Sequence, residues 1–273
     1  MLKEHKIKRN QTILKLFGTE GHYKLKLIQM DCVRNSGIET DEEEQETIVR
    51  GTVNDEKLQE SIIRARTKIF ELAFCNPWDW FFTGTLNKDK HDRTDLVLFH
   101  KRFTQWLRDY NKKHDTAIKF LVVPELHSDG ESWHMHGFLY GLPQEHLNKF
   151  MIGDKMSSYL AAKVSHGEDI YNWTAYENKF GYCDLEPVKN PEAACRYITK
   201  YITKDLSHNV TELNAQMYYH SRGLKFAEVI KKGYFDKDID FEPSFSGDYC
   251  NVYWLDYDEE MLKYLEEGFV KAS

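Results

Sequence analysis

The chain has 273 residues, of which 41% are hydrophobic and 30% charged, and its formal net charge is −7. A hydrophobic fraction of this size can build a folded core, so the composition excludes a chain that is disordered throughout and fits one or two domains. No stretch approaches the roughly 18 apolar residues of a membrane-spanning helix, and the charged N-terminus leads into no apolar signal region. We therefore expect a cytoplasmic protein with no membrane partner. Five cysteines without a Cys-x-x-Cys pair indicate neither a disulfide framework nor a thiolate zinc site.

Negative charge is concentrated in two segments. Residues 39–46 hold six acidic and no basic side chains, and residues 234–273 hold eleven acidic and three basic ones. The remaining residues have a net charge of +7, which is compatible with a nucleic-acid partner and equally with an ordinary solvated surface. We predict an N-terminal appendage (1–53), a central domain (54–233, with its core at about 78–205) and an acidic C-terminal segment (234–273).

The elements of the first half follow from the spacing of apolar residues. Alternation over residues 23–27 suggests a strand in the appendage. Apolar residues recur at helical spacing over 58–73 until an Asn-Pro pair, and again over 96–110, while the aromatic and β-branched run 80–86 predicts a strand between these two helices. At the other end of the chain, the apolar residues between 254 and 269 predict either a helix that packs on the core, which we favour, or a docking segment for a partner.

The second half of the central domain completes a recognisable order of elements. Asp129-Gly130 is a hairpin signal between two strand-like runs, and Asn190-Pro191 is a typical helix start. The predicted elements are strands at 118–126, 133–140 and 182–188 and helices at 147–162 and from 190 onward. The resulting β-α-β-β-α-β order predicts an α+β, ferredoxin-like (RRM-like) fold, with one antiparallel sheet, helices on one face and the other face free to bind.

Three residues of the predicted hairpin converge on one face of the sheet. If Asp129 and Gly130 are the central residues of a two-residue turn, Glu125 lies opposite His134 and Val123 opposite His136. Opposed residues have Cβ atoms about 5 Å apart, so one carboxylate and two imidazoles could bind a divalent ion, with His127 as a spare ligand. This mixed set of oxygen and nitrogen ligands favours Mn²⁺ or Mg²⁺ over a closed zinc site. The alternative is a histidine that simply forms a hydrogen bond with a glutamate.

A second pattern lies on the helix that starts at Asn190-Pro191. At about 100° per residue, Tyr197, Lys200, Tyr201 and Lys204 fall on one side of this helix, while its apolar stripe lies elsewhere. A tyrosine hydroxyl has an ordinary pKa of about 10, so as a nucleophile it needs a nearby cation, which the lysines could supply. The alternative is an exposed helix whose tyrosine and lysine stems cover the surface.

Taken together, these motifs resemble the HUH endonuclease superfamily, and most closely the rolling-circle replication initiator (Rep) proteins of phages and plasmids. The run 81–86 is similar to the first motif, a central strand, although Gly84 departs from the larger residue that is usual there. Residues 133–137 are similar to the second motif, with His134 and His136 as metal ligands, and Glu125 lies where the family has its acidic ligand. Residues 197–204 are similar to the two-tyrosine form of the third motif.

The resemblance implies a site-specific endonuclease and strand transferase that nicks single-stranded DNA at a replication origin in a bacterial host. Tyr197 or Tyr201 would attack the scissile phosphate, with Lys200 and Lys204 nearby, and form a 5′-phosphotyrosine intermediate that is later rejoined. If both tyrosines act, they can alternate. Since few residues follow Lys204, the expected partners besides origin DNA are a host helicase and polymerase.

Other functions compete with this interpretation. A non-catalytic DNA-binding regulator could keep the same fold, and a transposase or conjugative relaxase would use similar chemistry. A metal-dependent oxygenase of the cupin type also uses two histidines and a carboxylate. In cupins, however, the carboxylate usually follows the histidine pair, whereas here Glu125 precedes it and long helices intervene.

Overall fold

The computed structural model describes residues 11–19, 21–30, 55–127, 129–204, 217–247 and 250–270, while the side chains of 55–60, 191 and 199–204 lie outside this description. The chain divides into two compact units. One comprises residues 51–225, and the other combines residues 1–50 with residues 226–273. None of the described helices is long and apolar enough to cross a membrane.

The larger unit is built on a seven-stranded sheet. Its helices are α1 (Asp55–Phe74), α2 (Leu96–His114), α3 (Ser158–Ser165), α4 (Thr174–Lys179) and α5 (Pro191–Lys204). Its strands are β3 (Trp80–Thr85), β4 (Lys119–Leu126), β5 (Trp133–Tyr140), β6 (Asn148–Lys149), β7 (Tyr171–Asn172), β8 (Cys183–Pro187) and β9 (Tyr219–His220). They lie in the order β6-β7-β8-β3-β5-β4-β9.

The four central strands have the predicted ferredoxin-like topology. β3 lies between β8 and β5, β4 follows β5, and every one of these pairs is antiparallel. The α+β fold class predicted from the sequence is therefore confirmed. Short strands extend this central sheet on both edges.

The prediction of one helix over 147–162 was wrong for its first part. Asn148–Lys149 forms the edge strand β6, and helix α3 begins only at Ser158. A tight loop separates them, in which Gly153 has a φ of +101° and Asp154 accepts a hydrogen bond from the amide of Met151. The apolar residues of this stretch therefore do not share one helical face.

The two faces of the central sheet are covered by different helices. On one face, aromatic side chains of α2 and α4 pack on alternate strand residues; this core includes Phe82, Phe103, Phe120, Met135, Trp173, Tyr176 and Leu185. On the other face, α5 contacts β4 and β5, and α1 contacts both β4 and α5. The second face was predicted to be free, but α1 and α5 cover part of it because Ile69, Leu72, Cys195 and Ile198 bury their side chains there.

The smaller unit joins the two ends of the described chain in one six-stranded sheet. Its elements are β1 (Gln11–Thr19), β2 (His22–Met30), β10 (Glu228–Phe235), β11 (Phe245–Gly247), β12 (Cys250–Asp256), α6 (Glu259–Glu267) and β13 (Phe269–Val270). Strand β2 lies between β1 and β12, and Leu25, Leu27, Tyr253 and Leu265 are part of its core. The predicted boundary between residues 233 and 234 falls inside β10, and the structure places it at 225/226.

Candidate metal and tyrosine site

The register of the β4–β5 hairpin is the one predicted from the sequence. Glu125 lies opposite His134, and Val123 lies opposite His136. The ladder ends at Leu126 and Trp133, so a longer loop replaces the predicted two-residue turn. The register is unaffected because this loop is centred on the same two residues as the predicted turn.

The predicted ligands Glu125, His134 and His136 share the sheet face that α5 partly covers. Glu125 Oε2 lies 2.7 Å from His136 Nε2. The ring of His134 lies 6.2 Å from that of His136 and only 4.6 Å from that of His127, measured between centroids. As the side chains are placed, no three His, Cys, Asp or Glu residues of the described segments stand close enough to hold an ion. A three-ligand site would therefore require the side chain of His134 to turn toward Glu125.

The donor atoms of Glu125 and His136 fit a divalent cation. A carboxylate oxygen and an imidazole nitrogen at 2.7 Å need a proton or a cation beside them, because their lone pairs otherwise repel each other. In an octahedral site with bonds of about 2.1 Å, neighbouring ligand atoms stand about 3 Å apart. Oxygen and nitrogen donors together suit Mn²⁺ or Mg²⁺ with water in the remaining positions. His127 is half-buried beside His134 and could serve only if that ring moves.

Burial sets the charge states of two groups in this region. It lowers the pKa of His134 to about 4, and the neighbouring His127 and His136 add smaller contributions. His134 is therefore neutral at physiological pH, which is the form of imidazole that binds metal ions. On β8, burial raises the pKa of Asp184 to about 6, and the charge of Glu186 raises it further.

The helix α5 presents Tyr197 to the same face. Asn190 caps the helix, since its Oδ1 accepts a hydrogen bond from the amide of Ala193 at 3.0 Å. Cys195 and Ile198 are buried, whereas Tyr197 is 45% exposed and its ring packs edge-on against Phe81 at 5.3 Å between centroids. The predicted residues Lys200, Tyr201 and Lys204 belong to the backbone of α5, but their side chains lie outside the described part of the structure.

These groups line a cleft of about 820 Å³. Its floor is the sheet, and its walls come from α3 and α5; Thr83, His134, His136, Asp184, Tyr159, Lys163, Glu186 and Tyr197 are among its lining residues. Lys163 Nζ contacts Glu186 Oε2 at 2.5 Å. Burial opposes the charged form of this lysine, but the hydrogen bond and charge of Glu186 outweigh it and raise its pKa.

Sequence reasoning missed the contribution of Thr83, Asp184 and Lys163 to this cleft. Thr83 lies opposite His136 on one side and opposite Asp184 on the other, so the three residues form one row across β5, β3 and β8. The alternation within β8 could have placed Asp184 and Glu186 on the same face. Only the strand order puts them next to the hairpin.

Comparison with curated proteins and with solved structures gave no significant match. Comparison with protein families gave one, to the ORF2 family of replication-associated proteins, over residues 79–206. The matched segment contains the hairpin histidines, Glu125, Asp184 and the tyrosines of α5. It thus covers the four central strands and the cleft, and it agrees with the replication-protein resemblance of the motifs.

Proposed function

We propose that this protein is a replication-initiation endonuclease that nicks single-stranded origin DNA by tyrosine attack and later rejoins the strands. The observation that carries the proposal is the cleft in which the Glu125–His136 pair and Tyr197 lie on one face of the sheet. The family match over residues 79–206 supports a role in replication. We propose Glu125, His134 and His136 as the ligands of Mn²⁺ or Mg²⁺.

The chemistry would be a transfer of one phosphodiester bond. The hydroxyl oxygen of a tyrosine attacks the scissile phosphorus and loses its proton to water or to a base in the cleft. The bond from phosphorus to the 3′ oxygen breaks, that oxygen takes up a proton, and the 5′ phosphate stays joined to the tyrosine. When bound, the cation would polarise the phosphate and stabilise the charge that develops on its oxygens.

The residues of the chain would position the reacting groups. Contact with Phe81 holds the ring of Tyr197 at the edge of the cleft. Tyr201 follows one helical turn later, so both hydroxyls could reach one phosphate and alternate between cutting and rejoining. Lys200 and Lys204 would favour the ionised form of the attacking tyrosine. Joining by the released 3′-OH needs no nucleotide cofactor, because the phosphotyrosine bond retains the energy of the phosphodiester.

The partners of the reaction follow from its product. The free 3′-OH is a primer for a polymerase, and the displaced strand requires a helicase, both of which we propose to come from the host. Origin DNA is the proposed substrate, with recognition of its sequence by surfaces outside the nicking cleft.

Detection of a covalent adduct tests the proposal directly. The protein is incubated with Mn²⁺ and labelled single-stranded DNA from its replicon, and the products are separated on a denaturing gel. We expect an adduct that EDTA prevents. Tyr197→Phe and Tyr201→Phe should each reduce a different step, initiation or rejoining, and the double variant should form no adduct.

The controls separate catalysis from binding. Tyr159→Phe keeps an aromatic ring on the wall of the cleft and should still form the adduct, since this tyrosine lies on α3 and not on α5. If DNA is bound but wild-type protein forms no adduct under any ion, the nuclease proposal fails and a non-catalytic regulator takes its place. An adduct that persists in the double variant would remove both tyrosines from the mechanism.

A further inference from the structure

We infer that Thr83 and Asp184 are positioning residues that fix the proton of His136 on Nδ1 and so leave its Nε2 ready to bind a divalent cation. The inference rests on the proposed function, because it concerns the residues proposed to bind the ion. It assigns a role to a strand, β8, that supplies none of the proposed ligands.

The three residues form a continuous polar row across the sheet. Thr83 stands opposite His136 on β5 and opposite Asp184 on β8. Its Oγ1 lies 3.4 Å from Nδ1 of His136, and its side chain also forms a hydrogen bond with the carboxylate of Asp184. On the far side of the imidazole, Nε2 lies 2.7 Å from Glu125 Oε2.

The direction of these hydrogen bonds follows from counting protons. An ionised carboxylate can only accept, and a threonine hydroxyl has a single proton to donate. When the hydroxyl donates to Asp184, its oxygen is left to accept a hydrogen bond from His136. The imidazole must then carry its proton on Nδ1, and the lone pair of Nε2 points toward the carboxylate of Glu125, where a cation would complete the contact.

Burial makes this arrangement selective. Asp184 is 7% exposed and His136 is 8% exposed, so water cannot easily replace either partner of Thr83. A buried carboxylate is costly to the folded state unless its interactions compensate, and here the interactions include a neutral hydroxyl and no direct contact with a lysine is needed to fix the row. Glu186, two residues further on the same strand face, contacts Lys163 instead.

The first measurement reads the proton of His136 without any metal. In metal-free protein at neutral pH, the ¹⁵N shifts of the imidazole should show the Nδ1–H tautomer in wild type and in Thr83→Ser, which keeps the hydroxyl. In Thr83→Val, which keeps the shape and removes the hydroxyl, the Nε2–H tautomer should become substantially populated. The same change is expected in Asp184→Asn, whose amide can donate to Thr83 and reverse the row.

The second measurement is Mn²⁺ affinity by calorimetry. Loss of such an outer partner typically weakens metal binding by about 10- to 100-fold, and we expect this for Thr83→Val and Asp184→Asn. Thr83→Ser and the charge control Glu186→Gln should stay within about threefold of wild type.

The outcomes distinguish this inference from the proposed function. An Nε2–H tautomer in wild type, or unchanged tautomer and affinity in both Thr83→Val and Asp184→Asn, overturns the inference even if the protein cleaves DNA. The expected tautomer and affinity changes uphold it even if no DNA adduct forms, in which case the nuclease proposal alone fails. If one of the two variants does not fold, the other decides.

Discussion

The two faces of the seven-stranded sheet come from alternate residues of the same strands, yet they differ in kind. Toward α2 and α4, Phe82, Phe120 and Leu185 are at most 2% exposed and contact only apolar and aromatic neighbours in the core. Their sequence neighbours Thr83 and Asp184 turn toward the cleft and join a polar row with His136. One face therefore carries the stability of the unit, and the other carries groups that packing alone does not require.

The largest expected effect is on the cleft face, at His136. His136→Ala removes one of the two atoms that meet at 2.7 Å, so we expect DNA cleavage to fall by about 10³-fold or more, since a metal contributes several kcal/mol to such a reaction. The stabilisation of wild type by Mn²⁺ should also disappear. Adduct yield and the melting temperature with and without ion measure both effects, and an equally active variant would remove the metal from the mechanism.

The matching change on the core face is Phe103→Ala. Phe103 is 1% exposed and its ring packs within 6 Å of those of Phe99 and Phe120. Its truncation should lower the free energy of unfolding by about 3–5 kcal/mol, measured by urea titration. At a temperature where the variant is folded, Mn²⁺ affinity should be kept. Val97→Ala on the same helix removes an exposed side chain and should cost less than about 0.5 kcal/mol.

The contrast between the faces also explains what the sequence could predict. Alternation and the Asp129-Gly130 signal placed Glu125 opposite His134 correctly, because both depend on residues close in sequence. The pairing of β2 with β12 could not be predicted, since it joins residues more than 200 positions apart. For the same reason Asp184 was missed: its place beside Thr83 depends on the strand order and not on any local pattern.

A smaller effect with an unusual sign is expected for Asp184. Its pKa is 3.8 when unperturbed and about 6 in the folded protein, so between these values the folded state binds more protons than the unfolded chain. Stability therefore falls as pH rises from about 4 to above 6 and stays lower beyond. In metal-free protein, Asp184→Asn should raise the free energy of unfolding at pH 8 by about 1–3 kcal/mol and change it little at pH 4.

The hairpin loop offers a control of the opposite sign. Hydrogen bonds from Ser132 and Glu131 hold the pKa of Asp129 well below its usual range. A lowered pKa stabilises the folded state above the unfolded value, so Asp129→Asn should lower the free energy of unfolding at pH 8 and have a smaller effect in acid. Equal pH profiles for the two variants would show that burial does not set the charge of Asp184.

The smallest effect tests how firmly the tyrosine helix is attached to the sheet. Asn190→Ala removes the side chain that accepts the amide of Ala193 at the start of α5, which should cost about 1 kcal/mol. Asn190→Asp keeps an acceptor and adds a negative charge where the helix dipole favours it, so its stability should equal or slightly exceed that of wild type. The free energy of unfolding compares the two variants. A loss above about 2 kcal/mol for the alanine variant would mean that the first turn of α5 supports more than its own hydrogen bonds, because buried Cys195 and Ile198 alone would otherwise keep the helix against the sheet.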